Sequence, residues 1–181
     1  MPLILTTPPA TEPVTLAEAK AHLRVSHADD DTYISSLIKT ARQSVESETG
    51  LGLMPQDWSL FLDDWPRDGI VRIPLAPVLD VTEIRIYGAD NVGVTLDPAS
   101  YFEDRVSRPS RLKMLSWAKP GRAVNGIEIL LAIGFATVPE PLREAVLLLL
   151  GHWYATRGDG PAEDRPLMIS HLIQPYRAVR L

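Results

Sequence analysis

Val138-Pro139-Glu140-Pro141-Leu142-Arg143-Glu144-Ala145-Val146-Leu147-Leu148-Leu149-Leu150-Gly151-His152-Trp153-Tyr154 is the stretch on which the fold turns. Proline is tolerated in a first helical turn because its missing N–H would be unbonded there anyway. An acid at the same place meets the positive end of the helix dipole. The segment therefore predicts a helix that starts within Val138-Pro139-Glu140-Pro141. From Leu142 to Tyr154 apolar residues run nearly all round it, so this helix belongs at the centre of a core. Leu142, Val146, Leu149, Trp153 and Tyr154 are its expected packing residues. Gly158 is the expected stop.

That helix needs partners, and the N-terminal third supplies two. Residues 1–14, rich in Pro and Thr, read as an extended arm. Thr15-Leu16-Ala17-Glu18 is a capping box, in which the Thr hydroxyl takes an orphan amide and Glu reaches back. A short helix to about Leu23 follows. Asp29, Asp30 and Asp31 offer N-caps for a second helix. In it Ile34, Leu37, Ile38, Ala41 and Val45 recur at steps of three and four, and Gly50 stands where a left-handed cap is needed.

After Gly52 the period changes to two. Trp58, Leu60 and Leu62 alternate with polar or exposed neighbours. Further short strands are expected at 70–73, 81–87, 92–96, 101–105, 111–115 and 126–132. They are separated by turn chemistry such as Arg67-Asp68-Gly69 and Lys119-Pro120-Gly121. The expected fold is α+β: a small helical bundle of two N-terminal helices and the long C-terminal one, with an inserted antiparallel β-domain and an extended tail. Its divisions are 1–52 for the arm and first helices, 53–135 for the β-domain, 136–158 for the core helix and 159–181 for the tail.

Composition limits the chemistry. With 45% hydrophobic residues over 181 positions the chain can bury a real core. A net charge of -5 argues against broad nucleic-acid binding. The absence of cysteine excludes disulfides, zinc–thiolate sites and thiol catalysis. Met1–Ala10 has no basic n-region and no long apolar run, so no signal peptide is expected there. No run is long enough to span a bilayer, and a soluble protein is expected.

No active site emerges. His22, His27 and Asp29–Asp31 make the densest polar cluster, yet the calcium-loop pattern of Gly at position six and Glu at twelve is missing. Capping of a helix start explains these acids better than metal binding or metal-dependent hydrolysis. His152, beside Trp153 and Tyr154, reads as a core or interface histidine. There is no Gly-x-Ser-x-Gly elbow and no phosphate loop. Arg157-Gly158-Asp159 falls at a helix stop and is read as that. No cofactor, no metal ligand and no catalytic residue is expected.

The tail is the informative oddity. Ile169, Leu172, Ile173, Pro175, Tyr176, Val179 and Leu181 are interleaved with His171, Arg177 and Arg180, and Met168–Leu181 holds no acid. An apolar segment after the last core helix either folds back on its own core or docks on a partner. Aromatic and Arg side chains suit the second role.

Several segments, in order, resemble the phage head–tail connector (adaptor) family. They are Glu12-Pro13-Val14-Thr15-Leu16-Ala17-Glu18-Ala19-Lys20-Ala21-His22-Leu23-Arg24, the acidic loop 29–31 and Glu48-Thr49-Gly50. Ile73-Pro74-Leu75-Ala76-Pro77-Val78, Val138–Tyr154 and Pro175-Tyr176-Arg177 with Arg180-Leu181 complete the set. Gene transfer agents carry similar adaptors. The resemblance implies a structural subunit of the particle neck, assembled in the bacterial cytoplasm. It implies a ring, commonly of twelve copies, docked on the portal protein and followed by a stopper or tail protein. DNA passes through such a ring without specific binding. It makes Ile169, Leu172, Ile173, Pro175, Tyr176, Arg177, Val179, Arg180 and Leu181 the portal-docking residues. It also gives Leu142, Val146, Leu149, Trp153 and Tyr154 a ring or core role. The alternative is a carbohydrate- or host-surface-binding β-module of a tail appendage, with exposed aromatics on its strands.

Overall fold

A computed structural model describes residues 1–157 and 166–177 of the chain. In chain order the elements are β1 (Leu3–Thr7), α1 (Leu16–Leu23), α2 (Asp31–Thr49), β2 (Gln56–Leu62), β3 (Ile70–Ile73) and β4 (Val78–Tyr87). They continue with β5 (Gly93–Thr95), β6 (Tyr101–Asp104), β7 (Ser110–Met114), β8 (Ile127–Ile133), α3 (Glu140–Thr156) and α4 (Leu167–Ile173). The chain is α+β, and every strand pairing is antiparallel. It forms two compact units. One combines Met1–Ala10 with Pro55–Phe135, the other Thr11–Met54 with the described residues from Ala136 onward.

In the β unit a five-stranded sheet has the order β1-β2-β8-β4-β5, and a three-stranded sheet the order β3-β7-β6. Alternation puts Leu60 and Leu62 of β2 on one side, with Ile127, Ile129, Leu131 and Ile133 of the central strand β8. Val71 and Ile73 of β3 and Leu112 and Met114 of β7 join the same cluster, so the two sheets share one apolar core. Each fully buried aliphatic side chain contributes about 1.5–3 kcal/mol relative to exposure. The opposite face of β8 carries the nearly buried Glu128. Its carboxylate accepts from Ser59 Oγ at 2.8 Å and Tyr87 OH at 2.6 Å. A buried carboxylate so bonded is satisfied, which is the condition for tolerating it there.

In the helical unit, α1 begins with the complete capping box. Glu18 N–H donates to Thr15 Oγ1 at 3.2 Å and Thr15 N–H to Glu18 Oε2 at 2.8 Å. Of the α2 stripe, Ile34, Ile38, Ala41 and Val45 are buried, and the helix closes on Gly50 at φ 70°. Helices α1, α2 and α4 all pack on α3. Leu142, Val146 and Leu149 of α3 are fully buried, which makes it the centre of this unit.

Four expectations need correction. The arm at residues 1–14 is in part a strand: β1 pairs with β2, Leu3 opposite Leu60 and Ile4 opposite Ser59. Leu-Ile-Leu-Thr-Thr between Pro2 and Pro8 is a strand-forming run, with the prolines just outside the ladder where their missing N–H costs nothing. The first ten residues therefore belong with the β unit. Asp30 is the N-cap of α2 but makes no side-chain cap bond, because its carboxylate is used elsewhere. The described part of the tail is not extended: Leu167–Ile173 is helical and Gln174–Tyr176 continues as a tight 3-10 turn. Lastly, α3 ends at Thr156 with Arg157 in the left-handed region at φ 51°, and Gly158 lies outside the described residues.

Candidate docking surface

The polar cluster around the start of α2 is spent on structure. Lys20 Nζ lies 2.5 Å from Asp31 Oδ1. Tyr154 OH donates to Asp30 Oδ2 at 2.6 Å, and this bond to a carboxylate holds the phenol above its ordinary pKa. The Arg157 guanidinium stands 3.6 Å from the same carboxylate and stacks over the rings of Tyr33 and Tyr154. His22 marks a close approach of α1 to α3: a Cβ on Gly151 would come within 3.2 Å of its Nε2. His27 Nδ1 is 3.8 Å from Asp29 Oδ2 on the surface. Among the described residues no three His, Asp or Glu side chains could hold a metal ion.

Two arginines tie the ends of this unit together. Arg42, only 3% exposed, donates to Glu12 Oε2 and Glu46 Oε2, each at 2.6 Å. Burial pulls its pKa down, but the bond to Glu12 and the charges of Glu46 and Glu12 outweigh that and raise it. Arg143 Nε donates to the Pro13 carbonyl at 3.0 Å and Nη2 to Glu18 Oε1 at 2.6 Å. Glu18 sits below its usual pKa, first through its bond from the Thr15 amide and also through Arg143. Charge-assisted bonds of this kind are short and directional, so they fix register as well as add stability.

The tail residues separate into two sets. Ile169 and Ile173, one turn apart on α4, are fully buried. In this structure they are core residues rather than surface anchors, since a helix packed on α3 must spend one face on that contact. Leu172 and Tyr176 are half-buried, while Pro175 and Arg177 are exposed. Arg177 Nη2 reaches Glu48 Oε2 at 2.7 Å. Val179, Arg180 and Leu181 lie outside the described residues. Sequence reasoning missed Leu167 and Met168, which are 78% and 59% exposed at the start of α4. The signal for them was two large apolar residues directly after Pro166. With Leu172 they give α4 a second apolar surface besides the buried one. Of the helix residues expected to pack, Trp153 and Tyr154 are half-buried, so α3 keeps partly open aromatic surface near its C-terminal end.

Residues 13–73, from the approach to α1 through β3, match the phage gp6-like head-tail connector proteins. The full chain is also similar to a chain in the neck of an empty GTA (gene transfer agent) particle computed with C6 symmetry. That match has a TM-score of 0.87 and 27% identity, and covers 100% of this chain and 97% of the other. Over residues 13–73 the chain resembles the phage head–tail connector family, and over its whole length it has the fold of chains in gene transfer agent particles. The chain is also similar in fold to a chain of the virion of a native gene transfer agent, at TM-score 0.85 and 27% identity with the same coverage. A chain from the neck of a native GTA particle computed with C12 symmetry gives 0.83 and 26%, again over 100% and 97%. No curated protein sequence matches the chain.

Proposed function

We propose that this chain is a head–tail connector, a ring-forming, non-enzymatic subunit of the neck that docks on the portal protein and joins the DNA-filled head to the tail. The observation that carries this is likeness over the whole chain to chains in necks computed with C6 and C12 symmetry, which fits a ring. The docking surface is the open side of the C-terminal segment: Leu167, Met168, Leu172, Pro175, Tyr176 and Arg177, continued by Val179, Arg180 and Leu181. Large apolar residues beside an aromatic ring and Arg make the usual composition of an interface centre. Ile169 and Ile173 support this surface from beneath. The half-buried aromatics of α3, Trp153 and Tyr154, are assigned to contacts between copies. The β unit faces the next neck or tail protein. A net charge of -5 suits a channel through which DNA slides, because few counterions are released by contact with the phosphates.

Production of particles without the connector tests this. DNA-filled heads and separate tails are expected to accumulate unjoined, with joining restored by the added protein. Normal joined particles would refute the proposal.

A further inference from the structure

The free edges of the two sheets are unlike one another. Exposed strand edges invite pairing, and proteins block them with charge. In the three-stranded sheet, edge strand β3 carries Arg72 and edge strand β6 carries Glu103 and Asp104. The part of β4 that β5 leaves uncovered is closed by Arg105, which donates to the Leu79 carbonyl and to Asp80 at 2.7 Å. The edges of the five-stranded sheet have no such guard. β1 and its surroundings, Met1–Ala10, contain no charged side chain, and neither does Val92–Leu96 around β5. Ile4 and Leu5 are 53% and 40% exposed, and Val92 and Val94 are 57% and 66% exposed.

Because all neighbours are antiparallel, β1 and β5 run in the same direction at opposite edges of the sheet. Copies related by the small rotation of a ring would bring β5 of one beside β1 of the next, still parallel. A two-fold dimer would instead pair like with like, antiparallel. We infer that β5 of one copy pairs in parallel with β1 of its neighbour, joining the five-stranded sheets edge to edge around the ring. This rests on the ring reading above and adds the surface that closes it.

The backbone fixes which residues can bond across the seam, and the register that pairs the most of them is chosen. Phe61 N–H donates to the Pro2 carbonyl at 3.0 Å, so Pro2 and Ile4 spend their groups on β2 and those of Leu3 and Leu5 point outward. On β5, Gly88 N–H donates to the Val92 carbonyl at 3.0 Å and Leu96 N–H to the Ile84 carbonyl at 2.8 Å. Gly93 and Thr95 are therefore the outward residues. In a parallel ladder Leu5 N–H then meets the Gly93 carbonyl and Thr95 N–H meets the Leu5 carbonyl. Leu5 comes to lie opposite Val94, and Leu3 opposite Val92. Leu5 stands across from Trp58 and Val94 across from Ile86, so both side chains lie on the face that carries the core. The pairing would extend that apolar face from copy to copy.

The chain has no cysteine, so introduced pairs read without background. The full-length double variant Leu5→Cys/Val94→Cys is incorporated into particles, oxidised mildly and run without reductant. A ladder extending beyond dimers is expected, and it should be absent from each single variant. If the double variant enters particles at wild-type level yet stays monomeric, or if Leu5→Cys alone gives dimers, the pairing is wrong. A second variant, Leu5→Lys, places a charge on the open edge. It should melt like wild type and enter particles at least tenfold less; unchanged entry would also overturn the pairing. Absence of the wild-type connector from purified necks would instead defeat the ring reading itself.

Discussion

In the helical unit, segments far apart in the chain are held by polar contacts: Arg42 to Glu12, Arg143 to Pro13 and Glu18, Tyr154 to Asp30, Arg177 to Glu48. In the β unit one apolar cluster spans both sheets, and most of its charged pairs sit on the surface. The difference follows from how each unit is built. Helices drawn from both ends of the chain could slide along their apolar faces, and directional bonds between charged groups remove that freedom. Strands have their register fixed already by the ladder and by alternation, since a slip of one residue would turn the core face outward.

The contrast predicts where each unit is weakest. Ile129→Ala, at the centre of the β cluster, should cost about 4 kcal/mol through lost burial and a residual cavity, read by chemical denaturation. A loss below about 1 kcal/mol would mean that the cluster is not what holds the sheets. Arg42→Ala should cost roughly 3 kcal/mol because two carboxylates lose the guanidinium that offsets their charge in a poorly solvated place. If Arg42→Ala is neutral, polar contacts do not fix the helical unit. Tyr154→Phe removes one hydrogen bond at a half-exposed site and should cost about 1 kcal/mol.

The smallest effect is in the β unit, at Asp104. Its carboxyl is held well below the ordinary range, first by the Ser107 hydroxyl and amide and then by Arg111. A depressed carboxylate pKa contributes stability that is complete above the unfolded value near about 4 and is lost as pH falls through the folded value. Wild type should therefore lose more stability than Asp104→Asn between about pH 5 and pH 2. Equal losses in denaturation midpoint would show that the turn contacts around Ser107 add nothing.

Much of this fold is legible in the sequence because local chemistry and final structure agree. The capping box at Thr15, the left-handed cap at Gly50, the acid and prolines before Leu142 and the period-two strands each act within a few residues. The two elements that escaped, β1 and α4, are short and flanked by proline. Nothing in Leu3–Thr7 says whether an extended run is an arm or an edge strand, because that depends on β2, some fifty residues away. Nothing in Leu167–Ile173 says which apolar residues turn inward, because α3 decides it. The same dependence explains the site: Ile169 and Ile173 look like anchors in sequence, while Leu167 and Met168 hold the open surface.

Binding to an assembled portal ring tests the central claim most directly, comparing the full-length chain with a version ending at Ile173. That truncation keeps both buried isoleucines and gives up the partly exposed Arg177–Glu48 bond, so it should cost no more than about 1 kcal/mol of stability. The account predicts that the full-length chain is retained on the portal and the truncated one is not. Equal retention would contradict it and move the portal contact away from the C-terminal segment.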